Sequence, residues 1–146
     1  MEEKKCYLAG KMSGLSYDEM NEWRIKLIPK LKEITSVKDC KIKIINPVDY
    51  YNFKNPTHKR EEEVEDFDLQ QVLSSQLMVI KLKGFDTSPG TIIEYCKGSM
   101  KNDLVILGLG TKEEEENLHP WLKRYIRRIE NDEDKLCDYI RDYVLI

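Results

Sequence analysis

The sequence lacks long apolar runs, a basic excess and a secretion signal. None of its 146 residues belongs to a run of roughly 18 apolar residues, which a membrane-spanning helix needs, and the mean hydropathy is −0.59. Only a short apolar run follows the charged residues 1–5, so we expect no signal peptide and a cytoplasmic protein. The 24 Lys and Arg against 27 Asp and Glu leave a net charge of −3, which argues against a dedicated nucleic-acid binder.

Metal-binding signatures are also missing. There are only two histidines, and the four cysteines are far apart with no CxxC pair. Zinc sites normally show paired Cys or His ligands, so we predict no metal, and nothing in the sequence calls for a cofactor. We expect four reduced thiols, several of them acting as small core residues. The cysteines are Cys6, Cys40, Cys96 and Cys137.

Strand and helix patterns alternate along the chain. Short apolar runs predict four strands, at residues 4–10, 41–46, 77–82 and 103–107. Helical periodicity predicts three intervening helices, at residues 16–34, 61–76 and 90–100. Pro29 is expected to kink or split the first of these helices.

This alternation predicts a single α/β domain over residues 1–146. The expected architecture is a flavodoxin- or Rossmann-like αβα sandwich around a mainly parallel sheet of four to five strands. Residues 109–146 are expected to form a helical C-terminal tail, in which Trp121 packs against the rest of the protein. Residues 48–60 are expected to form a long loop, and such loops are often functional.

Sheets of this kind bind ligands beyond the carboxyl ends of their strands. The first predicted strand ends in Gly10-Lys11-Met12-Ser13-Gly14, which suits a small oxyanion nest, although an ordinary turn is the alternative interpretation. It is not a Walker loop. Ser88 follows the third strand, near the start of a helix, where a phosphate or a sugar hydroxyl fits.

Two acidic residues fall in apolar surroundings. Glu94 follows two isoleucines, and Asp68 shares a helical face with Val64 and Val72. Burying a carboxylate without a partner is costly or raises its pKa, so such acids often have a chemical task. The alternatives are a surface glutamate paired with a nearby lysine and an aspartate that serves as a cap or a surface charge.

Four segments occur in a familiar order. They are Tyr7-Leu8-Ala9-Gly10, Asn46-Pro47, Asp68-Leu69 before a strand, and Ser88-Pro89-Gly90-Thr91-Ile92-Ile93-Glu94. Together they resemble the nucleoside 2-deoxyribosyltransferase family, including its relatives that hydrolyse nucleoside 5′-monophosphates. The resemblance covers about residues 4–108.

The resemblance implies an enzyme that cleaves the N-glycosidic bond of a 2′-deoxynucleoside or its 5′-monophosphate. Glu94 would be the nucleophile and form a covalent glycosyl intermediate, as in retaining glycosidases. Tyr7 would orient that carboxylate, and Asp68 would exchange a proton with the base. The deoxyribosyl group would then pass to another base or to water.

The resemblance also implies where the substrate binds. Ser88 occupies a position where members acting on 5′-monophosphates typically have a serine that touches phosphate and transferases of free nucleosides often have an aspartate. Asp86 could still reach the sugar. The predicted substrate-binding residues are Gly10, Lys11, Ser13, Gly14, Asn46, Asp86, Ser88 and Gly90. The predicted candidates for stacking on the base are Tyr50, Tyr51, Phe53 and His58.

In the family a neighbouring subunit often completes the active site, so we expect a homo-oligomer whose ligand is a small nucleoside or nucleotide. No nucleic-acid or membrane partner is expected. Two other functions stay open. The pocket could bind a nucleotide-derived signal without cleaving it, although binding alone does not require a nucleophile. A receiver-like signalling domain is disfavoured, because no acidic pair follows the first strand.

Overall fold

The computed structural model describes residues 2–35, 39–51 and 53–145, which form a three-layer α/β fold of the Rossmann-like kind. The strands are β1 (Glu2–Ala9), β2 (Cys40–Ile45), β3 (Leu77–Lys81), β4 (Val105–Leu109) and β5 (Arg128–Glu130). The helices are α1 (Tyr17–Ile34), α2 (Pro47–Tyr50), α3 (Glu61–Leu73), α4 (Pro89–Ser99), α5 (Lys112–Asn117), α6 (Pro120–Lys123) and α7 (Glu133–Tyr139). A 3₁₀ turn at Phe85–Thr87 and a π-helical turn at Ile140–Val144 complete the described structure. The predicted fold class is confirmed.

The five strands are all parallel and lie in the order β2-β1-β3-β4-β5. The chain leaves β1 towards β2 on one side and returns to β3 on the other, so the topological switch point lies between β1 and β3. In such sheets the crevice outside the carboxyl ends at this point is where ligands bind. The residues that follow β1 and β3 are therefore brought to the same place.

The sheet is covered on both faces, which explains why its strands are nearly continuous apolar runs. Along β1, Cys6 and Leu8 face a core that includes residues of α1 and α7. Tyr7 and Ala9 point to the opposite face and pack in a second core with residues of α3 and α4. Because side chains alternate along a strand, the hydroxyl of Tyr7 is delivered to the layer that contains α3 and α4.

The helix α1 begins at a capping box and runs without interruption through Pro29. The Ser16 side chain accepts a hydrogen bond from the Glu19 backbone, and the Glu19 carboxylate accepts one from the Ser16 backbone. The expectation that Pro29 splits the helix is wrong. Ile25, whose carbonyl loses its intrahelical partner, lies on the exposed side of α1, where water can replace that bond.

The prediction of a wholly helical C-terminal tail is also wrong. Pro120 starts a new short helix, and residues 128–130 form β5, which pairs in parallel with β4 and extends the sheet. Pairing satisfies backbone groups that β4 would otherwise leave open at the edge, which outweighs the helical periodicity. Trp121 meets the His119 ring edge-on but does not pack into the core of the described residues, since 83% of its surface is exposed.

The predicted loop at residues 48–60 begins with a short helix instead. Asn46 accepts a hydrogen bond from the Val48 backbone and Pro47 occupies the first helical turn, so α2 starts directly after β2. The rest of the segment up to Arg60 has no helix or strand where it is described, and Asn52 lies outside the described residues.

Candidate active site

A cavity of about 360 Å³ lies outside the carboxyl ends of β1 and β3. Its walls come from the loop after β1, the segment after α2, one face of α3 and the first turns of α4. Six of the predicted catalytic and substrate-binding residues line it together: Gly10, Ser13, Asp68, Ser88, Gly90 and Glu94. The two acids, which are 26 positions apart in the sequence, therefore open onto one space.

Glu94 lies in the second turn of α4, at the inner end of this cavity. Its Oε2 atom is shielded from solvent and has no hydrogen-bond partner among the described residues. Burial raises the pKa of Glu94 to about 8, and the negative charge of Asp68 adds to this effect. Tyr7 and Arg24 act in the opposite direction and favour the charged carboxylate.

Tyr7 is completely buried behind the cavity, and its hydroxyl has no hydrogen bond of regular geometry to any described residue. The hydroxyl is nevertheless close enough to Glu94 for the two groups to influence each other's pKa. Burial, followed by the charges of Glu94 and Asp68, raises the pKa of Tyr7 well above its usual value. Tyr7 therefore stays a neutral hydrogen-bond donor beside the carboxylate.

Asp68 is held by two tyrosines that follow β2 in the sequence. Its Oδ1 atom accepts a hydrogen bond from the Tyr50 hydroxyl at 2.5 Å and from the Tyr51 hydroxyl at 2.9 Å. Burial raises the pKa of Asp68, while the two hydroxyls and Arg24 partly offset that rise. Two hydrogen bonds to one oxygen thus orient the Asp68 carboxylate, whereas the buried Oε2 of Glu94 accepts none from the described residues.

The N-terminus of α4 forms another wall of the cavity. Ser88 is the buried N-cap, and its Oγ lies 2.8 Å from Thr91 Oγ1 and 3.4 Å from the Thr91 backbone nitrogen. Gly90, in the first turn, has no atom within 4 Å of the position a Cβ would take, so the backbone is open there. The N–H of Gly90, which the Ser88 cap leaves open, and the dipole of an 11-residue helix favour an anionic group at this position.

An aromatic wall faces the cavity from the segment after α2. Tyr51 contacts Phe53 and His58 edge-on, with ring centroids 6.5 Å apart in each pair. All three side chains line the cavity, which gives it a wall of aromatic rings beside the two carboxylates. Such a surface suits a planar heterocycle. Tyr50, also a predicted stacking residue, does not line the cavity and bonds to Asp68 instead.

Comparison with known proteins relates the fold to two solved structures. No family model and no curated protein matches the chain. A conserved protein from Enterococcus faecalis V583 superposes with a TM-score of 0.74 at 15% identity, covering 94% of this chain and 97% of that one. A Clostridium botulinum CMP N-glycosidase, BcmB, superposes with a TM-score of 0.53 at 18% identity, covering 96% and 100% respectively. The chain shares its fold with a CMP N-glycosidase. At these identities the likeness concerns the fold alone.

Four predicted substrate-binding residues lie outside this cavity. The Lys11 ammonium donates to Thr87 Oγ1 at 3.3 Å and faces a second cavity, of about 560 Å³, on the other side of the β1 loop. Asn46 caps α2 and donates to Asn21, Gly14 occupies a turn with φ of +81°, and Asp86 is exposed in the 3₁₀ turn. None of these four residues therefore lines the cavity that contains Glu94 and Asp68.

The sequence analysis missed Arg24, which comes from α1 and is completely buried. Its charge influences Glu94, Asp68 and Tyr7. A signal was present, because Arg24 lies in the apolar stripe of α1 in which the neighbouring members are Met20 and Leu27. A charged residue inside an otherwise apolar stripe is rarely placed there without a partner.

The described part of the chain contains no group of three His, Cys, Asp or Glu side chains arranged to hold a metal ion. In the same residues, no helix has the length and apolar character needed to cross a membrane. All four cysteines are free thiols; Cys6, Cys40 and Cys137 are buried, and Cys96 is exposed.

Proposed function

We propose that this protein cleaves the N-glycosidic bond of a nucleoside 5′-monophosphate, with Glu94 as the nucleophile. The observation that carries the proposal is the pair of carboxylates, Glu94 and Asp68, which open onto one nucleotide-sized cavity in different surroundings. Glycosidic cleavage with retention needs one carboxylate that attacks and one that exchanges a proton. The fold shared with a CMP N-glycosidase supports a nucleotide as the substrate class.

In the proposed first step, an oxygen of the ionised Glu94 attacks C1′ of the sugar while Asp68 carries the proton. The bond between C1′ and the base nitrogen breaks, and its electron pair leaves with the base, which receives a proton from Asp68. A covalent glycosyl-Glu94 ester and an ionised Asp68 result. The neutral Tyr7 hydroxyl donates to the Glu94 carboxylate and keeps it directed at C1′.

In the second step, water or another base attacks C1′ from the face that the first base left. Asp68 takes the proton of the attacking group, and the bond between C1′ and Glu94 breaks, which regenerates the carboxylate. Attack by water makes the protein a hydrolase, and attack by a base makes it a deoxyribosyltransferase. Both outcomes retain the configuration at C1′.

The substrate orientation follows from the chemistry of the walls. The 5′-phosphate lies at the N-terminus of α4, near Ser88, Gly90 and Thr91, where the Gly90 N–H, the two hydroxyls and the helix dipole favour an anion. The base lies against Tyr51, Phe53 and His58. The sugar between them then brings C1′ towards Glu94.

The test is incubation with a panel of ribo- and deoxyribonucleosides and their 5′-monophosphates, with products read by chromatography. Glu94→Gln should reduce base release at least about 10³-fold, because Gln cannot form the ester. Glu65→Gln, an exposed change on α3, is the matched control and should stay within about twofold. Adding a free acceptor base separates transfer from hydrolysis.

Two results contradict the proposal. One is base release at the wild-type rate by Glu94→Gln. The other is tight binding of a monophosphate that is recovered unchanged after long incubation with the wild-type protein, which indicates a binding module. A glycosyl adduct on the peptide that contains Glu94, detected by mass spectrometry after rapid acid quenching, supports the covalent step.

A further inference from the structure

Arg24 is a completely buried cation among the apolar residues of α1, and apolar packing alone does not explain a charge at that position. Its guanidinium donates to the carbonyl of Met20 and to the carbonyls of Leu8 and Gly10, at 3.3 and 3.4 Å. It also lies over the Trp23 ring, 4.7 Å from the centroid, and its Nε has no partner among the described residues. Arg24 therefore connects α1 to the carboxyl end of β1.

No carboxylate of the described residues forms a salt bridge with Arg24. The acids and hydroxyls that face it at longer range come from four elements: Tyr7 on β1, Asp49 and Tyr50 on α2, Asp68 on α3 and Glu94 on α4. Burial lowers the pKa of Arg24 to about 10, so the guanidinium is still charged at neutral pH. Keeping a charge away from water is costly, and the acids that face Arg24 at longer range are Glu94 and Asp68 of the cavity and Asp49 on α2.

We propose that Arg24 is a positioning residue for glycosidic cleavage, which holds the end of β1, from Leu8 to the cavity wall at Gly10, in place. This inference rests on the proposed function. The charge acts on Glu94 through a water-poor interior, where electrostatic interactions are strong. The two hydrogen bonds to Leu8 and Gly10 act on the strand end, between Tyr7 and the edge of the cavity.

The packing around Gly10 shows why the strand end depends on α1. A Cβ added at Gly10 would lie 2.9 Å from Cζ2 of Trp23, so the backbone is in close contact with the residue that precedes Arg24. Lys could supply the charge of Arg24, but a single ammonium cannot reproduce the planar fork, whose Nη1 donates to Met20 on α1 while Nη2 donates to Leu8 and Gly10 at the strand end. The two roles of Arg24 are therefore separable by substitution.

The experiment compares Arg24→Met, Arg24→Lys and Ile34→Ala. The last removes a buried side chain at the far end of α1 and serves as the control for general destabilisation. Three quantities are measured: the midpoint of the Glu94 carboxyl titration in the ligand-free protein by ¹³C NMR, assigned with Glu94→Gln; the acid limb of kcat/KM against pH; and the Tm.

Arg24→Met should move the Glu94 midpoint and the acid limb to higher pH by about 1 pH unit, because it removes the cation that favours the carboxylate. Arg24→Lys should leave the midpoint near that of the wild type but lower kcat by about tenfold, with a smaller change in KM, since the strand end is no longer held by the fork. Ile34→Ala should lower the Tm without moving either pH midpoint.

The proposal is overturned if both Arg24 variants behave like Ile34→Ala, with a lower Tm, an unchanged midpoint and wild-type kcat. If Arg24→Met does not fold, Arg24→Lys decides: an unchanged midpoint with reduced kcat supports the proposal, and a shifted midpoint or wild-type kcat contradicts it. If the wild-type protein cleaves no nucleotide, the proposed function fails, whereas the NMR titration still tests the action of Arg24 on Glu94.

Discussion

At the scale of single residues, burial is the main cause of the unusual chemistry of Glu94 and Asp68, and hydrogen bonding separates them. Both pKa values are raised by burial. Asp68 is oriented by the hydroxyls of Tyr50 and Tyr51, while the buried oxygen of Glu94 lacks a hydrogen bond among the described residues. Two carboxylates in different surroundings can take different roles in one reaction.

The raised pKa of Glu94 has a consequence for stability. A carboxyl whose pKa is higher in the folded state stabilises the protein fully below its ordinary pKa, and this contribution is lost as the pH rises through about 8. Glu94→Gln stays neutral and avoids that loss. We expect its Tm to equal that of the wild type near pH 4 and to exceed it above pH 8.

Thermal unfolding from pH 4 to pH 9 measures this difference. Between those limits the free-energy advantage of Glu94→Gln should grow by at most about 1.4 kcal/mol per pH unit. Glu65→Gln, at an exposed position, should show no such trend. If Glu94→Gln and the wild type were equally stable at pH 9, burial would not disfavour the charged form of Glu94.

At the scale of elements, the start of α4 combines three features that a short anionic ligand needs. Ser88 caps the helix, Pro89 fixes its first turn, and Gly90 leaves the backbone open to the cavity. The cap and the proline hold the turn rigid, so the N–H of Gly90 is already directed before a ligand arrives. Gly90 has no positive φ, and its lack of a side chain is therefore not required by the turn.

Gly90→Ala tests whether a ligand approaches this turn. The new methyl group has no neighbour within 4 Å, so the Tm should stay the same or rise slightly. If the phosphate binds here, KM for a monophosphate should rise about tenfold or more while the Tm is unchanged.

Gly14→Ala is the contrasting variant. Gly14 has φ of +81° and lies outside the cavity, so Ala there should cost about 1–2 kcal/mol of stability with little change in KM. An unchanged KM in Gly90→Ala would place the phosphate elsewhere.

At the scale of the whole molecule, the region after β4 contributes to two of the three layers, the sheet and the helical layer that contains α1. The strand β5 extends the sheet, and α7 packs against α1, with Leu136 and Ile140 completely buried. Exposed ion pairs join the same two helices, including Lys30 with Asp134 at 2.6 Å, but such pairs contribute little. The apolar contact between α7 and α1 therefore contributes most of the stabilisation that this region provides.

Removing residues 133–146 should therefore abolish cooperative folding. The deletion exposes the apolar face of α1 and loses Leu136, Ile140 and Leu145, each worth about 1.5–3 kcal/mol when buried, against a total stability of about 5–15 kcal/mol. Urea unfolding followed by circular dichroism measures the loss. Trp121→Ala, at an exposed position, should change stability by less than about 0.5 kcal/mol. A truncated protein that still unfolds cooperatively would show that this segment is dispensable.

Local sequence pattern was sufficient for the order of the elements, and it marked the two acids as unusual without assigning their roles. Apolar runs and helical periodicity predicted four strands in their observed places, and the carboxyl ends of β1 and β3 were expected to form the site. Glu94 and Asp68 stood out in sequence because each is an acid inside an apolar face, and the family resemblance implied their roles, which stay a prediction. These features depend on neighbours within a few positions, which is the range over which periodicity carries information.

The tertiary structure alone decided the partners of those acids. The hydroxyls of Tyr50 and Tyr51 reach Asp68 across 18 and 17 positions, Arg24 reaches the end of β1 from another layer, and Lys11 turns towards the second cavity. The strand β5 likewise formed against its helical periodicity. Hydrogen bonding, charge and strand pairing act between groups that are close in space, and the sequence records such neighbours only when they are also close along the chain.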